Sequence, residues 1–282
     1  MKSDYVKLVL PAVIFMSIFF VYPLFNTFLW SFYDFSPFRR VYNFVGLQNY
    51  FKVTSTDLFR TGVINTVVWV PLVAGLGTFI ALAGGLVTYT KFKGSKIFRA
   101  LFTMPIVLIP SAVGIMWALM FSDPFGLVNH ILASLGVETR PWLAIPSFTI
   151  YVVAIAEIWS DVPMLYLMLT AGLESLPSAP LEAAEIDGAS SIQKTRHVIL
   201  PLLRPILSIV FLLTSIDSFR RFAMIWIMTQ GGPGIASATL SVVAYKEMFQ
   251  LWEYGMGSAI SAILVLIALA FSIVYIRRIK IK

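Results

Sequence analysis

Six long apolar runs, at about residues 8–30, 63–89, 101–121, 147–173, 206–228 and 257–275, constrain this chain more than anything else in it. Each offers about the ~20 residues with which an α-helix crosses a hydrocarbon layer ~30 Å thick. In lipid every backbone N–H and C=O must be bonded within its own segment, so the expected fold class is all-α: a polytopic membrane protein of six transmembrane helices. Of the 282 residues 59% are hydrophobic and 12% charged, so the runs and their connections take up the chain. The expected organisation is one transmembrane domain over 1–282, with no separate soluble catalytic domain.

Several function classes drop out. The sequence contains no G-x-x-x-x-G-K-[ST] phosphate loop, no H-E-x-x-H and no G-x-S-x-G, so no ATP, peptide or ester hydrolysis is expected of it. No cofactor or metal of its own is expected, and any energy input must come from a partner. With no cysteine there is no disulfide frame or thiolate metal site, and His130 has no second ligand near it in sequence. The net charge of +7 is spread over loops instead of forming a patch, so nucleic acid is not an expected partner.

Sidedness explains the charge better. With the N-terminus inside, 13 Lys and Arg fall on cytoplasmic segments and 6 outside, with 2 in the fifth run. That bias places both termini in the cytoplasm, although Arg39, Arg40, Lys52 and Arg60 on the first external segment run against it. The first run carries Pro11 and Pro23 and lacks a small-x-small cleavage site, so it is read as an uncleaved span. Trp30, Phe32, Tyr33, Phe35 and Tyr42 follow it as an interfacial belt. Gly77, Ala81 and Gly85 recur every fourth residue in the second run, a spacing that lets another helix approach closely. Pro105 and Pro110 lie near the start of the third.

Between the fourth and fifth runs lies the most polar passage of its length, a loop at 174–205 that includes Leu181 to Pro205. Its residues spell a helix, a turn and a second helix. Ser178 is a candidate cap, Pro180 suits an opening turn, and Glu182 and Glu185 are expected to face the positive helix end. Asp187-Gly188 breaks the first helix, and Ser190 with Gln193 predicts a capping box for the second. Pro201 and Pro205 are expected to limit how far it can continue unbent.

Glu182-Ala183-Ala184, Asp187-Gly188-Ala189 and Leu200-Pro201, in that spacing, resemble the EAA loop of permease subunits of binding-protein-dependent ATP-binding-cassette importers. Thr195, Arg196 and Val198 depart from that family's usual residues. Phe44 to Tyr50 and Thr229-Gln230-Gly231-Gly232-Pro233 resemble its carbohydrate class, the maltose- and glycerol-phosphate-like permeases. The resemblance implies a type I importer fold in a prokaryotic inner membrane. The implied partners are a second permease, giving a heterodimer, two ATPase subunits that bind ATP and Mg, and an extracytoplasmic solute-binding protein. It also implies that Glu182, Ala183, Ala184, Asp187, Gly188 and Pro201 couple the chain to the ATPase.

Charges inside the fourth and fifth runs complete the reading. Ionisable groups at membrane depth are costly unless they pair or face water. Glu157 and Asp161 lie one helical turn apart, and Asp217, Arg220 and Arg221 share a turn. Counting along ideal helices brings Glu157 to a depth similar to that of Arg220, which makes a pair geometrically possible. With Ser215, Ser218 and Trp226 these residues form a candidate path for a hydroxyl-rich solute, and two arginines leave an anionic sugar open. The structural alternative is that acid and arginine neutralise each other between helices. Two other functions remain to be separated: an ion-coupled secondary transporter using Glu157, Asp161 and Asp217, and a membrane scaffold without a substrate.

Overall fold

The computed structural model describes residues 2–90 and 92–279, so Lys91, Lys280 and Lys282 of the sidedness count lie outside the described residues. In chain order the elements are helix α1 (2–30), strands β1 (Tyr33–Ser36) and β2 (Val41–Phe44), α2 (Gln48–Thr54) and α3 (Asp57–Tyr89). Then come α4 (Ser95–Val107, its last turn 3-10), α5 (Pro110–Met120), α6 (Leu127–Ser134) and α7 (Pro146–Glu174). The rest is α8 (Ser178–Ile186), α9 (Ser191–Arg220), α10 (Ala223–Thr229), α11 (240–250) and α12 (Tyr254–Arg278). Among the described residues five helices are long and apolar enough to cross a membrane, and α4 with α5 makes a sixth span if the bent pair is counted as one.

Four apolar runs are built differently from the simple helices expected, the second through a π-turn at Leu72–Leu76. The third bends by 104° between α4 and α5. Leu108 and Ile109 are extended there (ψ 134° and 142°), because the ring of Pro110 pushes its predecessor out of the helical region. The fifth run stops at Arg220 and resumes as α10 after an extended Arg221 (ψ 127°). Its start is deformed too, as Pro201 and Pro205 predict: the second loop helix runs through a π-turn at Thr195–Ile199 into the span. A proline lacks an N–H and crowds the carbonyl four residues back, and the wider turn accommodates both. Pro23 follows the π-turn Ser17–Val21 at the same two-residue distance.

The chain divides into two compact units. The first comprises residues 1–63 and 240–267. It contains the β1–β2 hairpin, paired Tyr33 to Phe44 through Ser36 to Val41, which the all-α expectation did not include. The candidate belt aromatics assemble around it: Tyr33 stacks on Tyr42 at 4.6 Å, and Phe35 meets Trp30 at 5.1 Å. Asn49, from the Phe44–Tyr50 motif, donates to the Ser31 and Tyr33 carbonyls at 2.9 and 2.7 Å and so fixes how the chain leaves α1. Arg39 bridges Asp34 and Glu253, whose hydrogen bonds and charges hold its guanidinium above the ordinary range.

The second unit, 64–239 with 268–282, carries the candidate site. Here the small-residue series does what its spacing predicts. Ala81 is fully buried in a cluster with Leu165, Tyr166, Leu169 and Val210. A Cβ on Gly77 or Gly85 would stand 3.2 Å from Leu165 or Leu173 of α7, closer than packed side chains normally sit. Helices α3 and α7 therefore pack nearly backbone to backbone, and the Tyr166 hydroxyl donates to Thr88 at 2.9 Å across the seam.

Candidate functional site

The polar loop folds as a helix, a turn and a helix. Helix α8 ends in a Schellman motif: the Ala189 N–H reaches the Ala184 carbonyl at 2.9 Å and the Gly188 N–H reaches Glu185 at 3.1 Å. Gly188 holds φ +74° at the turn, and a Cβ there would meet nothing within 4 Å. Its role is thus backbone conformation and not space. The capping box is present, with Ser190 Oγ accepting from the Gln193 N–H at 3.3 Å and Gln193 Oε1 accepting from the Ser190 N–H at 2.8 Å.

Two expectations here are corrected. Ser178 does not cap α8, because Pro177 takes the N-cap position and leaves Ser178 as the first helical residue. No acid lies in the first turn either. Glu182 sits a turn further on, exposed and in no ion pair among the described residues, and Glu185 lies near the helix end, where it pairs with Lys194 across the turn. Leu176 and Leu181 pin the loop against the buried Leu173, Ile199 and Leu203. Glu182, Ala183, Asp187, Gly188 and Pro201 are exposed, and Ala184 is half-buried. Sequence reasoning missed Ile186 and Ile192, which flank the turn 87% and 80% exposed. They are the two bare isoleucines of an otherwise polar loop. Only the turn geometry reveals them, since alone they read as ordinary helix positions.

From that loop α9 runs for 30 residues, roughly 45 Å, to Arg220. At its far end the intramembrane charges meet. Arg221, not Arg220, is the hub: Nη1 lies 2.9 Å from Glu157 Oε1, and Nη2 lies 2.8 Å from Asp161 Oδ1 and 2.7 Å from Asp217 Oδ2. The pair that depth alone allows between Glu157 and Arg220 does not form. Helix α9 ends at Arg220, so the extended Arg221 turns toward α7, while Arg220 points away, 79% exposed. Arg220 is held by Asp217, its Nε 2.7 Å from Oδ1.

The cluster walls two cavities. One, of about 320 Å³, is lined by Glu157, Asp217, Arg220, Arg221, Pro110 and Phe222 among others. The second, of about 580 Å³, takes Asp161, Asp217, Arg220, Arg221, Thr214 and several apolar side chains including Met164. Ser215 and Ser218 line neither cavity. Both are buried and donate to their own helix, at the Phe211 and Thr214 carbonyls. Trp226 stands outside the cavity walls as well, stacked on Phe222 at 5.3 Å.

Beyond α10 the Thr229–Pro233 motif turns sharply at Gln230 and Gly231, both at positive φ. Ser237 Oγ closes it, donating to the Gly232 carbonyl at 2.8 Å. Asn65 of α3 then clamps the segment, its amide meeting the carbonyls of Ile235, Ala236 and Ala238 at 3.4, 3.0 and 2.9 Å. An Asn65→Leu substitution strands these carbonyls, and a loss of about 1–3 kcal/mol is expected. Thermal unfolding of the purified complex checks it, through a midpoint lowered by several degrees; an unchanged midpoint refutes the clamp.

Comparison with known proteins identifies the chain. Residues 52–279 match the family described as the binding-protein-dependent transport system inner membrane component. The chain belongs to that family. This permease is 36% identical over 275 residues to the trehalose/maltose transport system permease protein MalF of Thermococcus litoralis, which covers 96% of this chain and 91% of that one. It is 28% identical over 278 residues to the sn-glycerol-3-phosphate transport system permease protein UgpA of Yersinia pestis, covering 98% and 93%. Its fold is also that of a bacterial ABC transporter chain involved in import of the acidic polysaccharide alginate, with TM-score 0.87, 19% identity and 99% and 97% covered. The permease is a multi-pass inner-membrane transport subunit, and ATP hydrolysis resides on a separate chain.

Proposed function

We propose that this permease carries a sugar or sugar derivative, delivered by an extracytoplasmic binding protein, through a pathway that it forms with a second permease in a heterodimer. Two ATPase subunits, which hold ATP and Mg, supply the energy through the loop at 174–205. The named relatives support the sugar class: one belongs to a trehalose/maltose system and one to a glycerol-phosphate system. A solved relative of the same fold is an alginate importer in complex with a pentasaccharide-bound periplasmic protein.

The observation that carries the coupling is continuity. The second loop helix and the fifth span are one helix, Ser191–Arg220. A push on Ile186, Ile192 and the turn at Gly188 therefore travels along a rod as long as the bilayer is thick, and reaches the ion cluster. There Arg221 ties the rod to α7, and α10 begins afresh. Rocking of α9 changes the two cavities that Asp217, Arg220 and Arg221 share. Both termini and the loop lie in the cytoplasm on this reading.

An ion-coupled transporter would need acids able to release protons or sodium, and here Glu157, Asp161 and Asp217 are all paired with Arg221. Uptake by cells expressing the complete importer is expected to stop when ATP is depleted and to persist when ion gradients are collapsed by ionophores. Co-purification of an ATPase with the permease is expected too, and sets it apart from a scaffold. Uptake that follows the ion gradient at constant ATP overturns the proposal.

A further inference from the structure

Five ionisable groups meet where the two cavities adjoin: three carboxylates and two guanidiniums. Both cations are committed. Arg220 is matched by Asp217, and Arg221 is bonded to Glu157, Asp161 and the second oxygen of Asp217. With all five charged the cluster carries one net negative charge. Asp161 and Asp217 line the larger cavity and Glu157 and Asp217 the smaller, so a solute in either meets that charge.

We propose that this acidic belt selects by charge, admitting neutral and amino sugars and disfavouring sugars that bear a carboxylate or phosphate, with Asp161 as a specificity-determining residue. The proposal rests on the reading of the belt as part of the sugar path. Adjacent arginines in a sequence suggest an anion site, but each guanidinium already holds a carboxylate, so an anion drawn to either meets the net negative charge of the cluster. One uncompensated negative charge, met by a like charge at about 8 Å in an effective dielectric of about 20, disfavours it on the order of thirty-fold.

The test uses glucose, glucosamine and glucuronate, three similar rings that differ in charge. Binding to the membrane complex of permeases and ATPases in nanodiscs is read by NMR saturation transfer at low salt, without the binding protein, so that its own selectivity does not enter. Glucuronate is expected to bind at least about tenfold more weakly than glucose. Asp161→Asn or Glu157→Gln should bring that ratio to within about threefold of unity, and Asp161→Asn should weaken glucosamine relative to glucose. Wild-type binding of glucuronate as strong as that of glucose, or a ratio unmoved in both variants, overturns the charge selection while leaving the sugar path standing; the unmoved ratio is the result expected if the cluster only holds helices together. Failure of all three sugars to bind removes the path itself.

Discussion

A Gly188→Val substitution is expected to abolish stimulation of the partner ATPase by loaded binding protein, at least about tenfold, while the permease still inserts and assembles. Nothing lies within 4 Å of the added Cβ, so no clash drives the effect. The backbone does. Gly188 holds φ +74° to close the Schellman turn, and a β-branched residue in that region costs about 1–3 kcal/mol. The turn relaxes, and the exposed Ile186 and Ile192 on its two sides shift relative to each other while Leu176 and Leu181 keep the loop on the membrane helices. Gly188→Asn is the control, since asparagine tolerates the left-handed region and should retain most stimulation. The measurement is ATPase rate in liposomes with and without loaded binding protein. Full stimulation in the valine variant would sink the coupling role of this turn.

Loss of Arg221 should be the most damaging single change in the second unit. In Arg221→Gln three carboxylates, with side chains 3%, 12% and 33% exposed, are left facing one another without their shared cation. Breaking a buried pair by removing one partner typically costs about 3–5 kcal/mol, and two acids remain uncompensated here. A large fall in folded, monodisperse protein after detergent extraction is expected, along with a midpoint lowered by ten degrees or so. Arg220→Gln is the contrast: its guanidinium is exposed, exposed pairs contribute about 0–1 kcal/mol, and the variant should fold as wild type does. Arg221→Lys should rescue partly, as a point charge without the planar fork that reaches three acids at once. Equal stability of the two glutamine variants would refute the hub.

Much of this was legible in the residues. The spans follow from run length, the seam between α3 and α7 from small residues every fourth position, and the loop helices from Ser190, Gln193 and Gly188. These signals are local, since a cap, a turn or a helix face is decided by residues within a turn or two of one another. The family resemblance lay in the spacing of Glu182, Gly188 and Pro201, and family membership bears it out. The loop's departures at Thr195, Arg196 and Val198 fall within the π-turn at Thr195–Ile199.

Errors arose where one helix was counted through a break. The count that allowed Glu157 to meet Arg220 assumed an unbroken fifth helix. One extended residue at Arg221 changes which guanidinium faces α7, because successive helical positions point about 100° apart and a non-helical residue resets that count. Ser215 and Ser218 failed for a related reason. A hydroxyl inside a helix can satisfy itself on the carbonyl one turn back, so polarity in the sequence does not say whether a side chain turns toward a cavity. Sequence by itself determined the class of protein, the number of apolar runs and the helix-turn-helix form of the polar loop, because hydrophobic length, caps and turns are short-range physics. Only the tertiary structure decided that Arg221 gathers three acids from two helices, that both arginines are already neutralised, and that the coupling loop and the fifth span are one rod. Those facts depend on where separate helices end and how they face, and no local pattern encodes them.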